Sequence, residues 1–138
     1  MSKRAKIISG TAAIAVITLA VVIAAIFARR GTDMNYPRRI SISASDARAM
    51  MRANPNAIIL DVRTAQEFAT GRIPGAILIP DYAIRDRARL LLPDKNALIL
   101  VYCRSGNRSR TAAYELISMG YTNVYDFGGI MSWPYERE

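Results

Sequence analysis

The run Val101-Tyr102-Cys103-Arg104-Ser105-Gly106-Asn107-Arg108-Ser109-Arg110 decides how the rest of the chain reads. An apolar, β-prone stretch, residues 97–102, ends at the only cysteine in the protein. A short loop holding Gly106 follows. A helical pattern then runs from near Asn107 to Met119, with Gly120 as its stop. A strand that ends in a tight loop and a helix N-terminus makes an anion-binding concavity, because the loop amides and the positive end of the helix dipole point into the same space. Arg104, Arg108 and Arg110 add formal positive charge. A thiol placed there is expected to titrate below its ordinary value, since those groups favour the thiolate. The competing reading is an inert thiol, because a free cysteine often packs as a small hydrophobe. Three arginines on the loop and helix start are poor company for such a thiol.

Working outward, the chain alternates strand and helix patterns. Residues 38–43 read as a short first strand, and Ser45-Asp46 as the cap of a helix reaching Ala53, which Asn54-Pro55 ends. Residues 57–62 form an apolar strand ending near Asp61. Thr64 and Glu67 have the spacing of a capping box, so a short helix runs to about Thr70. Residues 76–79 are a strand stopped by Pro80. Asp81 is placed to cap a helix whose inner face carries Ile84, Ala88 and Leu91. After the helix that follows Cys103 come a strand at residues 123–127, the pair Gly128-Gly129, and a last turn with Trp133 as a core residue. Continuously apolar central strands between helices predict an α/β fold on a mainly parallel sheet.

The N-terminal region differs in kind. Residues 7–27 carry no charge, and 21 helical residues span about 31 Å, the thickness of a bilayer core. Lys3, Arg4 and Lys6 precede this run and Arg29-Arg30 follow it. A cleaved signal peptide has a shorter apolar region and a small-x-small site, which residues 26–30 do not offer. The expectation is therefore a basic N-terminus and single transmembrane helix over residues 1–30, a linker over 31–37, and one domain over 38–138. Basic residues flank both ends of the span. The short basic tail tips the orientation toward an extracytoplasmic domain.

Charge and composition exclude several classes. The net charge of +8 divides into +5 over residues 1–30 and +3 over the rest, where 14 basic residues face 11 acidic ones. No basic face interleaved with aromatics is present, so no nucleic-acid partner is expected. One cysteine rules out an internal disulfide, and the absence of histidine rules out a Cys–His pair, a Ser–His–Asp triad and a histidine-ligated metal. No metal site is expected.

Five motifs in order carry a resemblance: Asp61-Val62-Arg63; Glu67-Phe68; Gly71-Arg72-Ile73-Pro74-Gly75-Ala76; Cys103-Arg104-Ser105-Gly106-Asn107-Arg108-Ser109; and Gly128-Gly129 with Trp133. Over residues 38–135 the chain resembles a single rhodanese domain. The resemblance implies a five-stranded parallel sheet with helices on both faces. It implies sulfur transfer without a cofactor, from a donor such as thiosulfate to a cyanide, small-thiol or protein acceptor, through a persulfide on Cys103. Arg104, Ser105, Gly106, Asn107 and Arg108 would bind the anionic donor. Asp61, Arg63 and Glu67 would support the loop, with Arg63 and Glu67 as a structural ion pair. Arg72 stands where the family usually has histidine. That histidine is not the nucleophile's base, so the change bears on the rim rather than on the chemistry.

Two other classes compete. Phosphatases and arsenate reductases on the same fold use Cys-x5-Arg, whereas here Arg108 follows Cys103 after four residues, leaving a tighter loop. A tethered binding module without chemistry would have no need of the thiol and its arginines. With no second cysteine, any acceptor comes from outside the chain.

Overall fold

The computed structural model describes residues 40–138. Five strands, β1 (Ile40–Ser41), β2 (Ile58–Asp61), β3 (Ile77–Leu78), β4 (Ile99–Cys103) and β5 (Val124–Gly129), form one sheet. Their order is β1-β5-β4-β2-β3, and every pairing is parallel. The helices are α1 (Ala44–Ala53), α2 (Ala65–Ala69), α3 (Ile84–Leu91) and α4 (Asn107–Ser118). The α/β class and five-stranded parallel sheet agree with expectation.

Strand side chains alternate between two apolar layers. Ile99, Val101 and Cys103 of β4 face one layer with Ile84 and Ala88 of α3 and Ala112, Ala113 and Leu116 of α4. Leu100 and Tyr102 face the other, with Ala47 of α1, Phe127, Ile130 and Trp133. Trp133 is thus a core residue, as expected.

The sheet order also locates the site. The chain leaves β2 toward β3 on one side and leaves β4 toward β5 on the other. Right-handed crossovers running in opposite directions put α2 and α4 on opposite faces and leave a crevice at the carboxyl ends of β2 and β4. Asp61, opposite Tyr102 in the register, and Cys103 end those two strands.

Two helix starts differ from expectation. The cap of α1 is Ser43, not Ser45 or Asp46: its hydroxyl accepts the Asp46 amide at 3.1 Å and donates to the Asp46 carboxylate at 2.6 Å. Ser43 is the last extended residue, so Asp46 falls in the first turn, where its charge complements the dipole. Asp81 does not cap α3. Pro80 starts a single 3₁₀ turn over Asp81–Ala83 with no side-chain cap, and the α-helix begins at Ile84. The buried row of that helix steps Ile84, Ala88 and Leu92, four residues apart, which leaves Leu91 44% exposed.

The expected span at residues 7–27, the linker at 31–37, and Arg38 and Arg39 of the first strand lie outside the described residues. Among the described residues no helix is long and apolar enough to cross a membrane.

Candidate active site

Cys103 is the last residue of β4 and is 1% exposed. A register shift follows Val101: that residue pairs with Asp126, whereas Cys103 pairs with Gly129. The extra residue on β5 kinks the strand and brings Gly128-Gly129 against the Cys103 loop. The approach is backbone to backbone. A Cβ at Gly129 would lie 2.6 Å from the Ser105 Cα and closer still to the Arg104 carbonyl oxygen, so only glycine fits. The Met131 amide then donates to that same carbonyl at 3.2 Å.

Gly106 sits at φ +104° as the N-cap of α4, in the left-handed region that glycine alone adopts without strain. This turns the loop back over the sulfur, and the Gly106 amide donates to Cys103 Sγ at 3.0 Å. No side chain caps α4. Burial pushes the Cys103 thiol up. The Ser109 amide and hydroxyl, and the Gly106 and Ser105 amides, more than offset this, and the thiol titrates below its ordinary value. The buried Ser109 hydroxyl also lies 3.1 Å from the Gly106 carbonyl and 3.2 Å from the Gly128 carbonyl. It is therefore shared between the sulfur and the two backbone segments that shape the loop.

The supporting charges pair differently from the expected Arg63–Glu67 couple. Arg63 is bound to Asp61, with Nε 2.9 Å from both carboxylate oxygens and Nη2 2.6 Å from Oδ2. A further bond of 2.7 Å runs from Nη2 to the Gly71 carbonyl. Glu67 instead takes Arg108, through two bonds of 2.8 and 2.7 Å. Residue spacing suggested the first couple. Asp61 wins because its carboxylate and the Arg63 guanidinium are buried at the same strand end, whereas Glu67 is on the first turn of α2 and faces α4 across the crevice. The Arg108 bonds, with those to Thr64, outweigh the opposing effect of burial and lower the Glu67 carboxyl to about 2. The Glu67–Arg108 bridge ties α2 to α4 directly across the switch point.

The predicted donor-binding residues thus divide. Gly106 is buried beneath the loop, and Ser105 and Asn107 are exposed at its rim. Arg108 is half-buried and held by Glu67. The side chain of Arg104 is exposed and forms no hydrogen bond or ion pair among the described residues. Arg72, on the rim, is bound to Glu138 at 2.9 Å. Two features were missing from the expected site: Ser109 as a donor to the sulfur, and Gly129 as the point of closest approach. The glycine pair was visible in the sequence, but nothing there indicated which backbone it would meet.

A family model described as the rhodanese-like domain matches residues 43–135. The chain belongs to the rhodanese-like family. Among similar proteins, the Escherichia coli thiosulfate sulfurtransferase PspE is 38% identical over 71 residues, covering 51% of this chain and 68% of that protein. The adenylyltransferase and sulfurtransferase UBA4 of Candida albicans is 34% identical over 114 residues, covering 78% of this chain but only 26% of that longer protein. A solved structure of a rhodanese with anions from E. coli matches with TM-score 0.56 and 33% identity, covering 59% of this chain and 96% of that one. Family and relatives together support a sulfurtransferase. Among the described residues no cluster of histidine, cysteine, aspartate and glutamate could hold a metal ion.

Proposed function

We propose that the protein moves a sulfane sulfur from a donor such as thiosulfate to an external thiol or cyanide through a Cys103 persulfide. The observation that carries this reading is a buried thiol of lowered pKa under backbone amides from Ser105, Gly106 and Ser109. In the first half-reaction the Cys103 thiolate attacks the outer sulfur of thiosulfate. The sulfur–sulfur bond breaks, and its electron pair leaves on sulfite. In the second, an acceptor nucleophile attacks the outer sulfur of the persulfide, and Cys103 leaves as the thiolate. The amides that favour the thiolate also favour the anionic persulfide without reorganising, as preorganised donors do for an oxyanion. The Arg104 side chain, without a partner among the described residues, is a cation available to the dianionic donor. Arg108 acts mainly through Glu67, holding the loop.

A phosphatase on this fold needs an arginine free to wrap a tetrahedral anion. Arg108 follows Cys103 after four residues and is committed to Glu67 at both Nη atoms, which favours sulfur transfer. Sulfite release from thiosulfate, set beside hydrolysis of p-nitrophenyl phosphate, tests the choice. Sulfur transfer with little or no phosphatase activity is the expected result; phosphatase activity exceeding it overturns the reading.

We also propose that residues 7–27 anchor the domain as a single-pass span on the extracytoplasmic side. The support is the uncharged length of that run and its basic flanks. Full-length protein is expected to stay with membranes through alkaline carbonate extraction. Mature protein beginning at Arg29 or later would mean a cleaved signal.

A further inference from the structure

The two faces of the sheet are covered unequally. One carries both α3 and α4. The other carries the ten-residue α1 and the segment around Trp133 and Tyr135. Between that segment, α1 and the loop before β3 lies a cleft of about 310 Å³, away from Cys103. Its apolar wall is Met51, Ile59, Ile73 and Trp133. Its charged edge is Arg48 and Arg52, one turn apart on α1. The Arg48 guanidinium carbon lies 4.0 Å from the centre of the Tyr135 ring, a cation–π contact that leaves its N–H groups to donate. Neither arginine pairs with a carboxylate among the described residues. The one acid on the lining, Glu136, is exposed, so the edge stays net positive.

We propose that this cleft binds a small aromatic organic anion, an aryl carboxylate or sulfonate, with its ring against Trp133 and its anionic group on Arg48 and Arg52. The volume suits one or two rings, at the small end of ligand pockets. The apolar wall supplies ring contact, and a planar carboxylate matches the forked N–H donors of a guanidinium as a paired acceptor. The site is independent of the sulfur-transfer reading, because it shares no residue with the Cys103 loop.

Trp133 is the only tryptophan in the chain, so its emission and its indole N–H resonance report on the cleft. The full-length protein is titrated with 4-nitrobenzoate, which quenches indole emission, and with the neutral isostere 4-nitrobenzamide. Saturable quenching by the carboxylate, a shift of the Trp133 Nε1–H resonance at the same midpoint, and roughly tenfold weaker binding of the amide are expected. Arg48→Gln and Arg52→Gln each reduce carboxylate binding toward the amide level while leaving sulfite release unchanged. Glu136→Gln tightens it. Non-saturating quenching, equal binding of the two probes, or unchanged binding in both arginine variants overturns the proposal. The comparison of the two probes on the wild-type protein decides it even if a variant fails to fold.

Discussion

Two junctions in this molecule have the same parts and opposite outcomes. β2 runs into α2 through Asp61-Val62-Arg63-Thr64, and β4 runs into α4 through Cys103-Arg104-Ser105-Gly106. They end side by side at the crevice. At the β2 junction the donors are consumed locally. The Thr64 hydroxyl accepts the Glu67 amide at 3.2 Å and Glu67 accepts the Thr64 amide at 2.9 Å, a complete capping box. Asp61 accepts the Arg63 amide at 2.9 Å as well as the guanidinium. At the β4 junction no side chain caps the helix, and the amides are directed at a sulfur. The first turn is satisfied by its own side chains, and the second leaves amides to the sulfur. The closed junction also serves the open one, since Glu67 completes its own cap and holds Arg108 with the same carboxylate.

The sharpest way to break the comparison is to remove what the open junction holds. Cys103→Ser is expected to reduce sulfite release to background with the fold intact, because a hydroxyl of similar size is not ionised near neutral pH. Substantial turnover in that variant would show that sulfur travels elsewhere. Next is Gly129→Ala, which forces a methyl group into the Arg104–Ser105 backbone. The expected cost is about 3 kcal/mol or more in denaturant unfolding, with loss of activity. A normal stability would mean that the loop is not held by that approach.

Glu67→Gln cuts the tie between the junctions. Loss of a charge-assisted pair at partly buried groups is expected to cost about 2 kcal/mol and to slow turnover by releasing Arg108. The pair also sets an acid limb. The folded Glu67 carboxyl titrates near 2, below its ordinary value of 4.5, so its stabilisation is present above about 4.5 and is lost as pH falls through 2. The wild type should lose stability over that window and the Gln variant should lose less, as read by acid titration of the unfolding midpoint. Thr64→Ala, which opens only the closed junction's cap, is expected to cost about 1 kcal/mol with little effect on Cys103.

The subtlest change is Ser109→Ala. It removes one of the donors that hold the Cys103 thiol low, so the midpoint of iodoacetamide alkylation against pH should rise. Activity depends on the thiolate, and therefore increases as pH rises through that midpoint, in both proteins. An unchanged midpoint would leave the amides as the whole source of activation.

What the sequence made legible follows from how local each feature is. The strand, the cysteine, the loop holding Gly106 and the helix to its glycine stop lie within about 20 contiguous residues, and all were readable there. So was the capping box, a four-residue pattern. The partner of Arg108 was not, because Glu67 lies 41 residues away and meets it only across the crevice. The role of Gly129 needed the register shift on β5, which no periodicity announces. The last buried position of α3 fell at Leu92 rather than Leu91, because the row from Ile84 through Ala88 continues four residues on, at the helix's C-cap. Ser109 was in plain view within the loop motif, but its spacing alone did not reveal that its hydroxyl returns to the thiol.

The central claim is that the uncapped β4 junction holds sulfur on Cys103. The direct measurement is intact-protein and peptide mass spectrometry of the protein after stoichiometric thiosulfate, with sulfite measured in the same sample. One added sulfur on the peptide containing Cys103, one sulfite released, and return to the starting mass on addition of cyanide or a thiol are predicted. Sulfite released in repeated turnover with no sulfur ever found on Cys103 would contradict it.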